Sequence, residues 1–264
     1  MKFSHLSETV KIKKISEKNN AGVFEIDGLF SGYGLTVGNA LRRALLSSLP
    51  GAAITQIKIK GVNNEFSTIS GVMEDVVEII GNLKNIRFKV YTDEPQTLEL
   101  KAKGELEVTA GDIKANSQVE IVNPKSHIAT LSSKNAELEA ELTVERGMGY
   151  ASSEARKVEK LPIGALIIDA FFSPVLKVNF AVENTRVGER TDYNRLVFDI
   201  ETDGTISPSV ALHKAANILK DHFNKISQIE GGQEAEKEAE EAEKEGEAKK
   251  EKTKEKGAKK TKKK

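Results

Sequence analysis

The chain has 264 residues, enough for one or two domains, and its 40 Lys plus Arg balance its 40 Asp plus Glu. It has no Cys, which excludes disulfides, thiolate zinc sites, iron–sulfur clusters and a cysteine nucleophile. The last 34 residues hold 12 Lys and 10 Glu, so the first 230 carry 28 basic and 30 acidic residues and lack the bulk charge of a nucleic-acid binder.

The N-terminal part of the chain alternates polar and apolar residues before it becomes helical. Residues 10–15 and 22–28 have the two-residue period of paired strands, and nothing before them resembles the apolar core of a signal peptide. Because no apolar run approaches the roughly 20 residues that span a membrane, we expect a soluble, cytoplasmic protein. Residues 36–49 predict a helix that is capped by Thr36 and stopped by Pro50 and Gly51.

The remainder of the chain predicts mostly strands. Residues 53–60 predict a strand and 72–83 a short helix. Alternating segments then predict a series of strands at 86–91, 97–103, 118–122, 127–131 and 136–145. An apolar stretch at 164–172 ends before Pro174, and two more strands follow at 175–187 and 195–202. A second long helix begins at Pro208, a residue suited to a first turn, and its apolar residues keep helical spacing to Ile229.

The order of these elements predicts an α+β fold. Each long helix stands beside a strand pair near one end of the sequence, and the short strands lie between them. We therefore expect a discontinuous first domain, residues 1–51 and 174–230, with a β-rich domain inserted at 52–173. No Ile, Leu, Val or Phe follows Ile229, so residues 231–264 are expected to form a disordered Glu/Lys tail.

Gly32, Gly34 and Gly38 stand between a strand and a helix, as in a dinucleotide-binding loop. The spacing differs by one residue from G-x-G-x-x-G, and the next strand lacks the acidic residue that would bind a ribose. A tight turn into the helix is the favoured interpretation, and a nucleotide-binding enzyme using this loop is the alternative. Glu74 and Glu78 are interpreted as a solvated helix face. We expect no catalytic residue, metal or cofactor in this chain.

The first helix has a second notable face. Arg43 and Leu46 are surface neighbours three residues apart, a pairing that fits a protein contact as well as an ordinary amphipathic helix. Both long helices also carry more apolar residues than one side of a small sheet would cover. This surplus predicts a two-fold dimer, with its interface at Leu45, Leu49, Leu219, Phe223 and Ile226.

The run LTVGNALRRALLSSLPG at residues 35–51 closely resembles the signature of the alpha subunit of bacterial DNA-directed RNA polymerase, in its N-terminal domain. Further similar motifs follow in the same order. They include EFST at 65–68, NLK at 82–84, RGMGY at 146–150, SPV at 173–175 and ETDGTI at 201–206. The resemblance extends over roughly residues 5–230.

This resemblance implies a non-catalytic subunit of a nucleotidyltransferase that acts in transcription. In the family, the two long helices form a homodimer, and the two large catalytic subunits, beta and beta-prime, assemble on it, with omega and sigma in the holoenzyme. The resemblance implies that Arg43 and Leu46 contact the second-largest subunit, and that Lys84 and Ile168 contact the largest.

Two further expectations follow from the resemblance. A symmetric dimer offers each patch twice, so one protomer is expected to serve each large subunit. Family members usually continue into a C-terminal domain that binds promoter DNA. This chain is expected to lack that domain, which leaves DNA contact indirect, or weak and salt-dependent through the lysine-rich end.

Overall fold

The computed structural model describes residues 9–154, 156 and 164–229. Within these ranges it contains two larger antiparallel sheets and three α-helices, which confirms the predicted α+β class. The elements in chain order are β1 Lys11–Lys18, β2 Ala21–Leu29, α1 Tyr33–Ser47, β3 Pro50–Ile59, α2 Val76–Lys84, β4 Phe88–Val90, β5 Gln96–Lys103, β6 Leu106–Thr109, β7 Ile113–Lys114, β8 Val119–Ile121, β9 His127–Leu131, β10 Glu137–Met148, β11 Tyr150–Ala151, β12 Ala165–Ile167, β13 Ala170–Phe171, β14 Val175–Val187, β15 Arg190–Thr202 and α3 Pro208–Ser227.

The first sheet unites strands from both ends of the sequence, in the order β1-β2-β15-β14. Its buried face carries a row of aromatic rings, since Phe24 pairs with Phe198 and Phe198 pairs with Phe180. α1 packs against β14 and β15 on this face. The helix approaches closely because Gly38 has no side chain where it meets the Phe180 ring.

The second sheet is built from the intervening sequence, in the order β12-β3-β10-β5-β7. β5 and β10 alternate buried apolar residues with outward-facing charged ones, as a sheet with one covered face requires. Their buried side chains join those of α2 in one core. β3 begins at Pro50, and the division into domains at 1–51 with 174–230 and at 52–173 stays a prediction.

Two helices begin at other residues than the sequence predicted. α1 begins at Tyr33 instead of Thr36, after Gly32 in the left-handed conformation (φ 86°). Its first turn is capped by a distant residue, because Asn194 Oδ1 accepts hydrogen bonds from the backbone nitrogens of Gly32 and Gly34 at 2.9 and 3.3 Å. α2 begins at Val76 instead of Val72.

α3 crosses the boundary between two compact units of the chain, Met1–Ala216 and Asn217–Lys264. In the first unit the helix buries Pro208, Ala211 and Ala215. In the described part of the second unit, every residue except Ile218 and Leu219 is exposed. None of the helices in the described ranges is both long and apolar enough to cross a membrane.

Candidate subunit interfaces

α1 presents Arg43 and Leu46 to solvent. Both side chains are exposed, Leu46 to 36%, because the opposite side of the helix, at Leu41 and Leu45, is buried. The Ser47 hydroxyl donates a hydrogen bond to the Arg43 carbonyl oxygen at 2.8 Å in the last turn. The structure therefore brings a guanidinium and a leucine together on an accessible face, as the spacing predicted.

Leu45 and Leu49 do not lie on that face. They are 0% and 1% exposed, because Leu45 lies on the buried side of the helix with Gly38 and Leu41. Side chains that the chain's own core already covers offer no surface to a second copy. This corrects the prediction that Leu45 and Leu49 form the dimer interface.

α3 presents the other predicted interface residues differently. Phe223 and Ile226 are 61% and 65% exposed, and Leu219 is half-buried. Positions 219, 223 and 226 are four and three residues apart, so they share one side of the helix. That side is an uncovered apolar stripe, whereas the dimer itself stays a prediction at this stage.

Lys84 and Ile168 lie close together in the chain's fold but differ in access. Lys84 Nζ is 3.6 Å from Asp169 Oδ2, with about a third of each side chain exposed. Asp169 Oδ1 also accepts a hydrogen bond from Ser153 N at 2.8 Å, and the Ser153 hydrogen bonds, with the Lys84 charge, lower the pKa of Asp169. Ile168 is only 4% exposed within the core. Its side chain cannot contact a partner directly in this conformation, which corrects that prediction.

Two aromatic residues beside Asp169 were not singled out from the sequence. The rings of Tyr150 and Phe171 pack with their centroids 4.7 Å apart. Partial desolvation and the Asp169 carboxylate raise the pKa of the Tyr150 phenol. A signal was available in the Phe171–Phe172 pair, because neighbouring strand residues face opposite sides. Phe172 is buried at 5% exposure, and Phe171 faces outward at 57%.

The glycines considered as a nucleotide loop have a packing role. Gly34 and Gly38 lie within α1, where an added side-chain carbon would come within 2.7 Å of Val182 and 2.8 Å of Phe180. The backbone nitrogens of Gly32 and Gly34, which a phosphate would need, already donate to Asn194. This geometry gives no support to the nucleotide-binding alternative.

The acidic group before α2 also has a structural role. Glu74 lies outside the helix, where its carboxylate accepts a hydrogen bond from Thr130 N at 2.7 Å and lies 3.0 Å from His127 Nε2. Its interpretation as part of a solvated helix face is therefore wrong, because a contact distant in sequence recruits it. No group of three or more His, Asp or Glu in the described ranges could hold a metal ion.

Comparison with known proteins gives one consistent family. Residues 57–173 match the family described as the RNA polymerase Rpb3/RpoA insert domain. The chain is 51% identical over 215 residues to the DNA-directed RNA polymerase subunit alpha of Alkaliphilus oremlandii, a match that covers 81% of this chain and 68% of that protein. It is 49% identical over 223 residues to the same subunit of Symbiobacterium thermophilum, covering 84% and 70%.

Proposed function

This chain belongs to the family of DNA-directed RNA polymerase alpha subunits, and on that basis we propose that two copies form the platform on which the polymerase assembles. Its part in this nucleotidyltransferase is structural, because catalysis resides in the large subunits. The observation that carries the proposal is the combination of an uncovered apolar stripe on α3 with an exposed Arg43–Leu46 pair on α1.

The α3 stripe supports the homodimer. Full burial of a Phe or Ile side chain contributes roughly 1.5–3 kcal/mol, and a two-fold axis brings each of Phe223 and Ile226 into the interface twice. Burial of the stripe would therefore contribute a favourable free energy to association. Leu219 stays in the proposed interface, at its edge, because it is half-buried in the single chain.

The Arg43–Leu46 pair is the proposed contact with the second-largest subunit, beta. Arg is enriched among interface residues that carry most of the binding free energy, and its planar head can bind a carboxylate through two hydrogen bonds. Leu46 adds an apolar contact of limited area. The pair thus offers both affinity and orientation to one partner.

The test substitutes this arginine and its neighbour. Arg43→Ala should leave the fold and the dimer intact and should reduce co-purification of beta by about tenfold or more. Arg42→Ala, which removes an equally charged, exposed side chain one residue away, serves as the matched control and should retain beta. Co-purification of beta with Arg43→Ala at the unchanged yield would contradict the assignment.

Lys84 is the proposed contact with the largest subunit, beta-prime. Asp169 lies 3.6 Å from its ammonium group and limits its orientation, while Ile168 acts from beneath as a buried support. In the assembled enzyme one protomer uses Arg43 and Leu46, and the other uses Lys84.

Omega and sigma then join through the large subunits. The contact of this chain with DNA is indirect or weak. The protein acts in the cytoplasm, where bacterial transcription takes place.

A further inference from the structure

A cleft lined by basic side chains lies beside the first turns of α3, outside the contacts assigned so far. It has a volume of about 180 Å³ and is bounded by β4, by the pairing of the start of β3 with the end of β10, and by α3 with the loop before it. Its charged lining residues are all basic: Lys89, Arg146 and Lys214. A larger cavity on the second sheet is lined by three lysines and three glutamates. The smaller of the two, which we call the basic cleft, is thus the one whose charge favours an anion.

The walls of the basic cleft are held by close packing. Arg146 stands opposite Ala52 in the pairing of β3 with β10. At the neighbouring Gly51, an added side-chain carbon would lie 1.8 Å from the carbonyl oxygen of Phe172, so the backbone is in close contact there. Phe88 also lines the cleft and is 1% exposed. The backbone around the cleft is therefore ordered before a ligand binds, which lowers the free-energy cost of binding.

The three cations keep hydrogen-bond donors available for a ligand. Arg146 Nη1 donates to Asp93 Oδ1 at 2.5 Å, but a guanidinium has five N–H donors, and the Asp93 side chain is 90% exposed. Lys89 Nζ is 3.9 Å from Glu120 Oε2, which is beyond hydrogen-bond distance. Lys214 is exposed and forms no ion pair with any residue of the described ranges. Since exposed ion pairs contribute little, an anion in the cleft can compete with both carboxylates.

The size and charge of the basic cleft favour one class of ligand. Pockets that enclose a drug-sized molecule have about 300–1,000 Å³, so a cleft of about 180 Å³ suits a compact group. A carboxylate has two oxygens in one plane and is matched by a single guanidinium. A phosphate group has three strong acceptor oxygens and up to about two negative charges, and it accepts hydrogen bonds from several directions. Cations that come from three separate elements therefore fit a phosphate better.

We propose that the basic cleft binds a compact phosphate-bearing anion, contacted by Lys89 from β4, Arg146 from β10 and Lys214 from α3. Such a ligand joins the first turns of α3 to the second sheet, and it stabilises the folded chain once its concentration exceeds the dissociation constant. Two sources share this chemistry: free pyrophosphate, and the terminal phosphates of a nucleoside triphosphate whose remainder stays outside the cleft. A nucleotidyltransferase consumes the second and releases the first. The site needs neither the dimer nor the large subunits.

Isothermal titration calorimetry of the full chain tests the proposal, in a buffer of physiological ionic strength without divalent cations. Pyrophosphate is the first probe, and the dicarboxylate glutarate is the matched one. We expect pyrophosphate to bind at least about tenfold more tightly than glutarate. If pyrophosphate binds no more tightly than glutarate, the choice of phosphate is overturned. If pyrophosphate gives no saturable signal at millimolar concentration, the site itself is overturned.

ATP is the third probe and distinguishes the two sources. We expect it to bind less tightly than pyrophosphate, because the rest of the molecule gains no contact inside a cleft of this size. Tighter binding of ATP would support the phosphate site and identify the nucleoside triphosphate as its source.

Substitutions test whether the binding occurs in the cleft. Lys214→Ala and Arg146→Gln should each weaken pyrophosphate binding by about tenfold, because each removes a charge-assisted hydrogen bond. Lys134→Ala is the matched control, since Lys134 is an exposed lysine that does not line the cleft, and it should bind pyrophosphate like the unchanged chain. Thermal melting without ligand shows whether each variant folds. Because Lys214 is exposed, its substitution should leave the fold intact.

The lysine-rich end of the chain is the competing site for pyrophosphate. Its 10 Lys at 249–264 are the same in every variant, so any binding there is a constant background. Equal affinity of the unchanged chain, Lys214→Ala and Arg146→Gln would mean that pyrophosphate binds outside the basic cleft, and the proposal would be overturned. A failure of the chain to dimerise or to capture a large subunit would contradict the proposed function and leave this site unaffected.

Discussion

α1 and α3 have similar amphipathic sequences but different surroundings in the structure. The apolar side of α1 lies on its own sheet, so that Leu41 and Leu45 are buried. The described part of α3 after Ala216 has no such cover, and Phe223 and Ile226 are exposed. One helix therefore stabilises the fold of the single chain, and the other carries apolar side chains that are exposed among the described residues.

The difference shows what helical periodicity can and cannot predict. Apolar residues at helical spacing indicate that one side of a helix avoids water. They do not indicate whether the same chain or another chain covers that side, because both produce the same spacing. Exposure in the folded chain distinguishes the two cases, and substitution experiments should follow the same division.

The largest expected effect concerns the buried side of α1. Leu45→Ala should lower the free energy of unfolding by about 2–5 kcal/mol, because it opens a cavity at a residue that is 0% exposed. Leu46→Ala, at the next residue but 36% exposed, should cost well under about 1 kcal/mol. Urea unfolding at one fixed protein concentration measures both, since dimer formation makes stability depend on concentration.

Equal losses for these two neighbouring leucines would break the comparison between the helices. Such a result would mean that the buried side chain of Leu45 contributes no more to the free energy of unfolding than the exposed side chain of Leu46. It would also restore Leu45 as a candidate for contact with a second molecule.

The next effect concerns the uncovered side of α3. Phe223→Glu should weaken dimerisation by about 100-fold or more, because each interface would then contain two unpaired carboxylates in an apolar contact. The unfolding of the single chain should change little, since Phe223 is 61% exposed. Sedimentation velocity over a range of concentrations measures the dissociation constant.

Asn224→Glu is the control for the added charge. It places the same carboxylate one residue further along, about 100° around the helix, and should leave the dimer largely intact. A Phe223→Glu protein that remains dimeric at micromolar concentration would show that α3 does not form the interface.

A smaller effect on stability should distinguish a glycine where α1 packs on its sheet from a glycine on the open surface of α2. Gly38→Ala in α1 would place a carbon 2.8 Å from the Phe180 ring, and such overpacking costs about 1–3 kcal/mol. Gly81→Ala in α2 meets no atom within 4 Å and should stabilise the protein by about 0.5–1 kcal/mol through helix propensity. Thermal unfolding of both variants gives the two signs, and the same sign for both would contradict the packing role of Gly38.

Much of the fold could be predicted, because local patterns determine it. The strands at 127–131 and 175–187 were predicted with both ends correct, since alternation and turn residues bound them clearly. The start of α1 could not be predicted, because its cap comes from Asn194, 162 residues away from Gly32. Glu74 was misinterpreted for the same reason, since its partner His127 lies on β9, 53 residues further along the chain.

The same distinction between local geometry and contacts distant in sequence applies to the candidate site. Sequence spacing placed Arg43 and Leu46 side by side on an accessible face, because helical neighbours are fixed by local geometry. Burial depends on the whole fold, and the sequence therefore misassigned Ile168, which belongs to the core. The alternation of Phe171 and Phe172 indicates that one ring faces outward, but the contact of Phe171 with Tyr150 joins strands separated by intervening chain and has no local signal.

The smallest expected effect concerns the start of α3, where the helix is held by the first sheet. Glu17 Oε1 on β1 accepts hydrogen bonds from Ser209 N and Oγ at 3.0 and 2.7 Å, and Lys14 Nζ donates to Glu17 Oε2 at 2.9 Å. The Lys14 and Ser209 hydrogen bonds lower the pKa of Glu17 from 4.5 to about 2. Because the pKa is lower in the folded state, the stabilisation is fully present above about pH 4.5 and is lost as the pH falls towards 2.

Glu17→Gln should therefore lower the free energy of unfolding at pH 7 by about 1 kcal/mol, the usual contribution of a helix cap. The difference from the unchanged chain should shrink between pH 4.5 and 2. In this range Glu17 of the unchanged chain becomes protonated, and its side chain is then neutral like that of the Gln variant. Urea unfolding at several pH values measures this difference, with Glu105→Gln at an exposed site as the control. A difference that stays constant from pH 7 to pH 2 would mean that the Glu17 charge does not hold α3 at its first turn, and the anchored start of this helix would then depend on Pro208 and Ala211 packing alone.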